Sequence, residues 1–115
     1  MAISDVKDVS IALKDSYKFI VAIVSDGMGG EKMVIRAEKY EDCELHHDIL
    51  CLLQQEVRPG GLKAHCIGGG RIQVNSEVKT IRIWDDSAAH GKEPNRQETV
   101  RMLQVEFPEF QVTAS

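Results

Sequence analysis

The segment of residues 17–24, YKFIVAIV, constrains the fold of this chain more than any other. Most of its residues are β-branched or aromatic, and apolar side chains occupy both of the faces that alternate along a strand. A strand that is apolar on both faces is typical of the centre of a sheet that is covered on two sides. We therefore expect a central strand here, with helices packed on the sheet around it.

Two amphipathic helices are predicted to supply that cover. The first spans residues 43–57 with Asp42 as its N-cap, and its apolar side chains recur at helical spacing: Leu45, Ile49, Leu52, Leu53 and Val57. The second spans residues 95–107, where Asn95 and Glu98 form a capping box and Pro108 follows the last turn.

Further strands are predicted at residues 9–12, 33–36, 62–67, 71–74, 79–84 and 110–112, and Gly68-Gly69-Gly70 is predicted to be a tight turn or a bulge between two of them. This order of elements predicts a single α/β sandwich domain over residues 1–115. Its sheet is expected to be mixed and mainly antiparallel, with about six strands covered by two helices. Residues 1–8 are expected to be peripheral.

The composition argues against several classes of protein. The net charge of −4 gives no general attraction for nucleic acid, and no apolar run approaches the ~20 residues that span a membrane. The first ten residues carry charges and no apolar core, so we expect no signal peptide. Three cysteines without regular spacing favour free thiols in a reducing compartment. We expect a cytoplasmic monomer that binds neither nucleic acid nor membranes.

His46 is the leading candidate for chemistry, because it lies in the first turn of the first predicted helix and on its apolar side. The N-terminus of a helix presents unpaired N–H groups and the positive end of the helix dipole, which attract anions. The same field lowers the pKa of a histidine and keeps its imidazole neutral, as a base or nucleophile must be. A histidine at this position is also typical of an ordinary residue at the edge of a core.

Three other features are candidates for binding. The glycines of residues 68–70 could bring a backbone carbonyl to a neighbouring histidine and fix its tautomer. The loop Ser87-Ala88-Ala89-His90-Gly91 could cradle a phosphate with a hydroxyl and backbone N–H groups, or it is a plain connection. Basic residues also occur in or beside the predicted strands: Lys18, Arg36 and Arg71.

A metal site is not expected. His46 and His47 are adjacent on a helix and face apart, while His65 and Cys66 are adjacent on a strand and face opposite sides. No spacing typical of a zinc site is present in the sequence.

Taken in chain order, these segments resemble the Janus family, whose best-known enzyme is a small phosphohistidine phosphatase. The resemblance extends over about residues 17–113 and rests on Tyr17-Lys18-Phe19, Ile35-Arg36, His46-His47-Asp48-Ile49, Cys66-Ile67-Gly68-Gly69-Gly70-Arg71-Ile72, Ser87-Ala88-Ala89-His90-Gly91 and Phe107-Pro108-Glu109-Phe110-Gln111-Val112-Thr113. It implies hydrolysis of phosphohistidine in proteins, and of other phosphoramidates such as phospholysine, without a metal or other cofactor.

The resemblance also implies which residues form the site. His46 corresponds to the catalytic histidine, acting as general base or as nucleophile, and Gly68 to the carbonyl that orients its ring. The remaining implied groups bind phosphate or support substrate binding: Lys18, the backbone N–H groups of His47 and Ala89, the Ser87 hydroxyl, Arg36 and Arg71. The implied partners are phosphohistidine-containing proteins and the phosphate anion.

This chain departs from the family pattern at two places. His47 replaces a smaller residue and becomes a second candidate for the catalytic histidine. Asp85-Asp86 stands where the family often has an aromatic residue, and carboxylates near an anion site should weaken phosphate binding or alter substrate choice. A non-catalytic phosphate-binding or sex-regulated protein of the Janus type is therefore an alternative, and a purely structural interaction domain is another.

Overall fold

The computed structural model describes residues 2–115. The elements are β1 (Val9–Ile11), β2 (Ser16–Ser25), β3 (Glu31–Lys39), α1 (His46–Val57), β4 (Lys63–Asn75), β5 (Thr80–Trp84), α2 (Arg96–Glu106) and β6 (Gln111–Ala114). Single 3₁₀ turns occur at Ile3–Asp5 and Arg58–Gly60. Among the residues described, no helix is long and apolar enough to cross a bilayer.

The strands form one six-stranded sheet in the order β1-β3-β2-β4-β5-β6. The four inner strands pair antiparallel, and the edge strands β1 and β6 each pair in parallel with their neighbour. The predicted α/β class with a mixed, mainly antiparallel sheet and two helices is confirmed. The segment predicted as a central strand is β2, which is paired on both sides.

Each face of the sheet carries its own core, as the two apolar faces of β2 require. Ile20 and Ala22 pack on one face with Leu53 of α1. Phe19 on the opposite face packs with Leu103 of α2. The edge strands β1 and β6 both contribute apolar side chains to the core around α2, so the sheet curls around that helix.

The start of α1 differs from the prediction. Helix geometry begins at His46 rather than at residue 43, and Leu45 holds the N-cap position, with its N–H donating to Asp48 Oδ2 at 3.0 Å. Asp42 is not the N-cap, because its own N–H and that of Cys43 donate to Lys39 O in a turn that follows β3. Leu45 and Leu52 are exposed, and the buried face of α1 consists of His46, Ile49, Leu50, Leu53 and Val57.

Of the tight turn or bulge predicted at residues 68–70, the structure shows a bulge beside Gly68 and no turn. β4 runs without interruption through the glycine run, pairing with β2 on one side and, in its second half, with β5 on the other. Between Gly68 and Cys66 the register against β2 shifts by one residue, which is a β-bulge. The glycines therefore lie within a strand, where they leave space for other segments to approach closely.

The N-terminal segment is more firmly attached than the prediction of a peripheral segment implied. Val6 is 2% exposed and belongs to the core beneath α1. Lys32 Nζ donates to Val6 O and forms an ion pair with Asp8 at 2.9 Å. The N–H of Ile35 donates to Asp8 O at 2.8 Å. Residues 6–8 are therefore part of the packed structure.

Candidate functional site

A cleft of about 340 Å³ lies between the N-terminus of α1, the adjoining strands β2 and β4, and the loop that follows β5. Six of the predicted site residues line it: Lys18, His46, His47, Arg71, Ser87 and Ala89. Leu45, Asp85, Asp86 and Ala88 complete the lining. The fold thus brings together segments that are up to about 70 residues apart in the sequence.

The His46 imidazole is buried and has one fixed hydrogen bond. The side chain is 7% exposed, and Nε2 lies 2.9 Å from Gly70 O. Because a carbonyl oxygen only accepts hydrogen bonds, Nε2 carries the proton of the neutral ring and Nδ1 keeps its lone pair. The arrangement fixes one tautomer and leaves one ring nitrogen available as a base or nucleophile.

The surroundings of His46 favour the neutral ring. Burial is the largest influence and lowers the pKa of His46, because it removes water from the charged form. The hydrogen bond to Gly70 O opposes this change, Lys18 and His90 lower the pKa further, and Asp85 raises it. The result is a pKa below the ordinary value of 6.5.

The orienting carbonyl was predicted at Gly68, and the structure corrects this position to Gly70. Gly68 O accepts a hydrogen bond from Cys66 Sγ at 3.1 Å instead. Gly70, two positions further along the strand, is the residue whose carbonyl meets the His46 ring. Which carbonyl does so depends on the pairing of β4 with distant strands, which the local sequence does not specify.

The glycine run allows three segments to meet at van der Waals distance. A Cβ atom on Gly69 would lie 2.3 Å from Phe19 O and 3.1 Å from Cδ2 of His46. On Gly70 it would lie 2.4 Å from Trp84 O. Backbone atoms cannot move aside as the end of a flexible side chain can, so these glycines are required for the catalytic candidate to sit against the strand.

The loop of residues 87–91 contributes Ser87, Ala88 and Ala89 to the lining of the cleft. Ser87 and Gly91 are joined by two hydrogen bonds, from Ser87 N–H to Gly91 O at 3.0 Å and from Gly91 N–H to Ser87 O at 2.7 Å. The Ser87 oxygen, 2% exposed, accepts from His90 N–H at 3.1 Å and retains its own hydroxyl proton. Within residues 2–115 no acceptor contacts the N–H groups of Ala88 and Ala89.

The first turn of α1 adds further N–H groups. Those of His46 and His47 have no partner inside the helix, and they lie at the positive end of the helix dipole. The His47 side chain itself is exposed, and its ring stacks on that of His90 with centroids 6.5 Å apart. Only His46 combines a buried ring with a fixed tautomer.

The charged side chains of the cleft are balanced in sign. Lys18 and Arg71 are paired across β2 and β4, and both contact the Tyr17 ring, at 5.3 Å and 5.2 Å from its centroid. Arg71 Nε lies 3.6 Å from Asp85 Oδ2. The carboxylates of Asp85 and Asp86 therefore oppose the two cations at the edge of the cleft.

Arg36 is not part of the cleft, in contrast to the prediction. Its guanidinium is 4% exposed and forms two hydrogen bonds with the Glu56 carboxylate, at 3.2 Å and 3.0 Å. Glu56 lies near the C-terminal end of α1, about 15 Å along the helix axis from His46. The basic position in β3 thus secures the far end of the helix.

Sequence reasoning missed a buried polar cluster formed by Glu93, Arg96 and Thr99. Arg96 donates to the carbonyl oxygens of Gly69 and Asp85, both of which belong to segments that form the cleft. The available signal was an arginine in the first turn of α2, where the helix dipole disfavours a cation.

The part of the chain that the structure describes contains no group of three or more His, Cys, Asp or Glu side chains that could hold a metal ion. The groups that line the cleft include N–H and hydroxyl donors, two cations, one buried imidazole and one exposed imidazole, together with the carboxylates of Asp85 and Asp86. Such a set is suited to bind a phosphoryl group and to transfer a proton or a phosphoryl group at one nitrogen.

Comparison with known proteins shows which family and which proteins the chain is similar to. A model of the Janus/Ocnus family (Ocnus) matches residues 3–111. Sex-regulated protein janus-A of Drosophila yakuba is 32% identical over 114 residues, which cover 99% of this chain and 82% of that protein. The protein of the same name from Drosophila melanogaster is 33% identical over the same extent. The 14 kDa phosphohistidine phosphatase of Sus scrofa is 26% identical over 117 residues, covering 96% of this chain and 90% of that protein.

Proposed function

The chain belongs to the Janus/Ocnus family, and from this premise we propose that it is a protein phosphohistidine phosphatase that hydrolyses P–N bonds without a metal. The observation that carries the proposal is the position of His46. Its buried imidazole has one nitrogen held by Gly70 O, and it lines the same cleft as the hydroxyl and N–H donors of the loop at residues 87–91. The relative named as a phosphohistidine phosphatase supports the same reaction class.

The phosphoryl group would be held mainly by dipoles. The N–H groups of His47 and Ala89 and the Ser87 hydroxyl would donate to its non-bridging oxygens, with Lys18 and Arg71 adding positive charge. Preorganised donors of this kind stabilise charge that develops in the transition state. The carboxylates of Asp85 and Asp86 disfavour a second anionic group, so we expect the preferred substrates to carry few acidic side chains next to the phosphohistidine.

The reaction transfers the phosphoryl group from nitrogen to water. An oxygen of water forms a bond with phosphorus, the P–N bond breaks, and its electron pair stays on the substrate imidazole. One proton of the water passes to the unprotonated nitrogen of His46 and from there to the leaving imidazole, so His46 returns to its neutral form and the products are histidine and inorganic phosphate. The P–N bond is labile, so positioning and charge stabilisation account for most of the catalysis that is required.

His46 could instead attack phosphorus itself and carry the phosphoryl group until water removes it. Acid- and base-quenched reactions with a ³²P-labelled phosphohistidine peptide separate the two routes. Label on His46 that appears and disappears at the rate of turnover supports the nucleophile, whereas a lack of labelled protein under single-turnover conditions supports the general base.

The proposal is tested by hydrolysis of a phosphohistidine peptide in the presence of a chelator. We expect the wild-type chain to release phosphate, His46→Ala to be inactive and His47→Ala to remain active, because His47 is exposed and lacks the fixed tautomer. Circular dichroism and the melting temperature establish that both variants are folded. Activity that survives in folded His46→Ala would overturn the assignment.

A non-catalytic phosphate-binding protein is the second candidate. The two carboxylates that line the cleft favour it, and so do the names of the relatives at about a third identity, which refer to sex regulation. It predicts that a phosphohistidine peptide binds with His46 in contact but loses its phosphoryl group no faster than the free peptide does. An inert interaction domain predicts that phosphate leaves the melting temperature unchanged.

A further inference from the structure

Glu93 and Arg96 form a buried ion pair next to the glycine run, although neither lines the cleft. The two residues are 3% and 7% exposed. Arg96 Nε and Nη2 donate to the two carboxylate oxygens of Glu93 at 2.9 Å and 2.8 Å, and Thr99 Oγ1 donates to the same carboxylate at 2.6 Å. The guanidinium also lies over the Phe19 ring, 5.1 Å from its centroid. Its position and orientation are thus fixed on several sides.

The same guanidinium joins the two walls of the cleft. Arg96 Nη2 donates to Gly69 O and to Asp85 O, each at 3.0 Å. Gly69 immediately precedes Gly70, whose carbonyl holds the His46 ring. Asp85 opens the segment that leads to the loop at residues 87–91. One nitrogen therefore links the strand that orients His46 to the loop that presents N–H groups.

Two further observations indicate that the link through Arg96 fixes the backbone geometry around Asp85 and Gly69. Asp85 has a φ of 68°, a left-handed conformation that few residues other than glycine adopt, and its carbonyl is held there by Arg96. The N–H of Gly69 donates to Gly91 O at 3.1 Å, so the peptide groups around Gly69 are tied to both ends of the loop. Without the arginine, the end at Asp85 is held by the two bonds between Ser87 and Gly91 and by the ion pair with Arg71, and its carbonyl is no longer tied to Gly69.

Stability alone is a weak explanation for this pair. A buried ion pair often contributes no more to stability than well-packed apolar side chains of the same volume. Arg96 also lies in the first turn of α2, at the end of the helix dipole that disfavours a cation. An arginine is nevertheless suited to this place, since its planar fork can bond a carboxylate and backbone carbonyls at the same time.

We propose that Arg96 is a positioning residue, which sets the distance between His46 and the phosphate-binding loop while Glu93 and Thr99 hold it in place. The inference rests on the proposed function for its effect on catalysis. Its structural part, the order of the loop, can be measured without a substrate.

The test uses two double variants of the full chain. Glu93→Leu with Arg96→Met removes the pair without leaving a buried unpaired charge. Arg36→Met with Glu56→Leu is the matched control, because it removes another pair with a buried arginine that contacts no residue of the cleft. Each is compared with wild type by NMR titration with inorganic phosphate, by amide hydrogen exchange, by kcat and KM for a phosphohistidine peptide, and by melting temperature.

We expect the first double variant to bind inorganic phosphate about tenfold more weakly and to lose about ten- to a hundredfold in kcat, the range that a misplacement of about 1 Å produces. The amides of Ser87 and Gly91 should exchange faster in the same variant. The control should lower the melting temperature and leave phosphate affinity, kcat and these amides as in wild type. Arg96→Lys should fall between wild type and the first double variant, because one ammonium group reaches fewer of the acceptors.

The proposal is overturned if the first double variant keeps wild-type phosphate affinity, kcat and loop exchange while only its melting temperature falls. If that variant does not fold, Arg96→Lys decides the matter by the same measurements. If the wild-type chain neither binds phosphate nor hydrolyses the peptide, the proposed function fails. Loop exchange then decides the positioning role by itself, for or against.

Discussion

The protonation state of the His46 imidazole follows from its surroundings. One side faces the strand and donates to Gly70 O, and the ring as a whole is withdrawn from water. Desolvation therefore opposes protonation, and the nearby Lys18 opposes it further. A group that must accept a proton or attack phosphorus at neutral pH benefits from both effects, because it is already in its reactive form.

This state has a consequence for stability as a function of pH. The pKa of His46 is lowered on folding, so between the folded value and the ordinary value of 6.5 the unfolded chain binds more protons than the folded one. The contribution of His46 to the free energy of unfolding should be constant above pH 6.5 and should decrease as the pH falls through 6.5 toward the folded pKa. Urea titrations of wild type and His46→Gln at several pH values measure it as the difference between the two proteins.

Under the proposed function, the acid limb of kcat/KM should likewise lie below pH 6.5, because protonation of His46 would remove the base or nucleophile. NMR titration of the His46 ring gives the same pKa directly. A measured pKa above 6.5 would contradict both expectations.

The acidic edge of the cleft leads to a second prediction at this scale. Asp86→Asn removes a carboxylate from the lining, and we expect phosphate to bind about two- to tenfold more tightly, as is typical of exposed charges a few ångströms apart. Asp42→Asn, an exposed acidic residue that does not line the cleft, is the control. Isothermal titration with inorganic phosphate measures both, and equal changes in the two variants would show a general effect of net charge.

Among the elements, β4 has the most demanding environment. Its glycines weaken a strand in isolation, since they lose more backbone entropy than other residues and bury no side chain. The contacts of Gly69 with Phe19 O and with the His46 ring leave no space for a larger residue. The glycines therefore lower the intrinsic stability of the strand, and they allow a helix and a neighbouring strand to approach its backbone.

Gly69→Ala tests this relation. The added Cβ would lie 2.3 Å from Phe19 O, so the strands or the His46 ring must move, and we expect a loss of about 1–3 kcal/mol in stability and about a hundredfold in kcat. Gly61→Ala is the control, because Gly61 has a φ of 71° but open space around its Cβ position. It should lose about 1 kcal/mol of stability through backbone strain and keep its activity. Chemical denaturation and peptide hydrolysis distinguish the two variants.

Several elements were predictable because their signals are local. The apolar run of β2 and the amphipathic pattern of α2 depend only on residues close in the sequence. The glycine run left a turn and a bulge as alternatives, and the continuity of β4 was not predictable, since only pairing with β2 and β5 keeps the chain extended. The helix start at His46 was missed for a similar reason: the bond from Leu45 N–H to Asp48 competes with a more obvious cap at Asp42.

The candidate site also has parts that were predictable from the sequence and parts that were not. His46 and the loop of residues 87–91 were found through sequence order and resemblance, and the cleft contains both. That Gly70 rather than Gly68 holds the His46 ring depends on the strand register. That Arg36 lies outside the cleft depends on its partner Glu56 in another element. Glu93 and Arg96 were not singled out from the sequence, because burial of a polar pair is decided by tertiary packing.

At the scale of the whole molecule, the two cores on opposite faces of the sheet depend on each other through β2. Side chains of this strand alternate between the core beneath α1 and the core around α2. The N-terminal segment closes the first of these cores with Val6, and its backbone is held by hydrogen bonds to β3. The position of α1, and with it His46, therefore depends on a segment far from it in the sequence.

Val6→Ala measures the contribution of this segment. Val6 is 2% exposed, and removing its two methyl groups should lower the free energy of unfolding by about 1–3 kcal/mol. Val78→Ala, at a residue that is 65% exposed, should change it by less than about 0.5 kcal/mol. Urea denaturation of both variants provides the comparison, and equal, small changes would mean that the segment is peripheral after all.

The curl of the sheet also bears on how copies of the molecule meet one another. The edge strands β1 and β6 have three and four residues, and α2 packs against both. Long, flat, exposed edge strands recruit strands from other molecules and so initiate aggregation. Edges this short, with a helix beside them, offer few unpaired N–H and C=O groups to a second copy. We therefore expect concentrated solutions to resist the growth of intermolecular sheets and fibres.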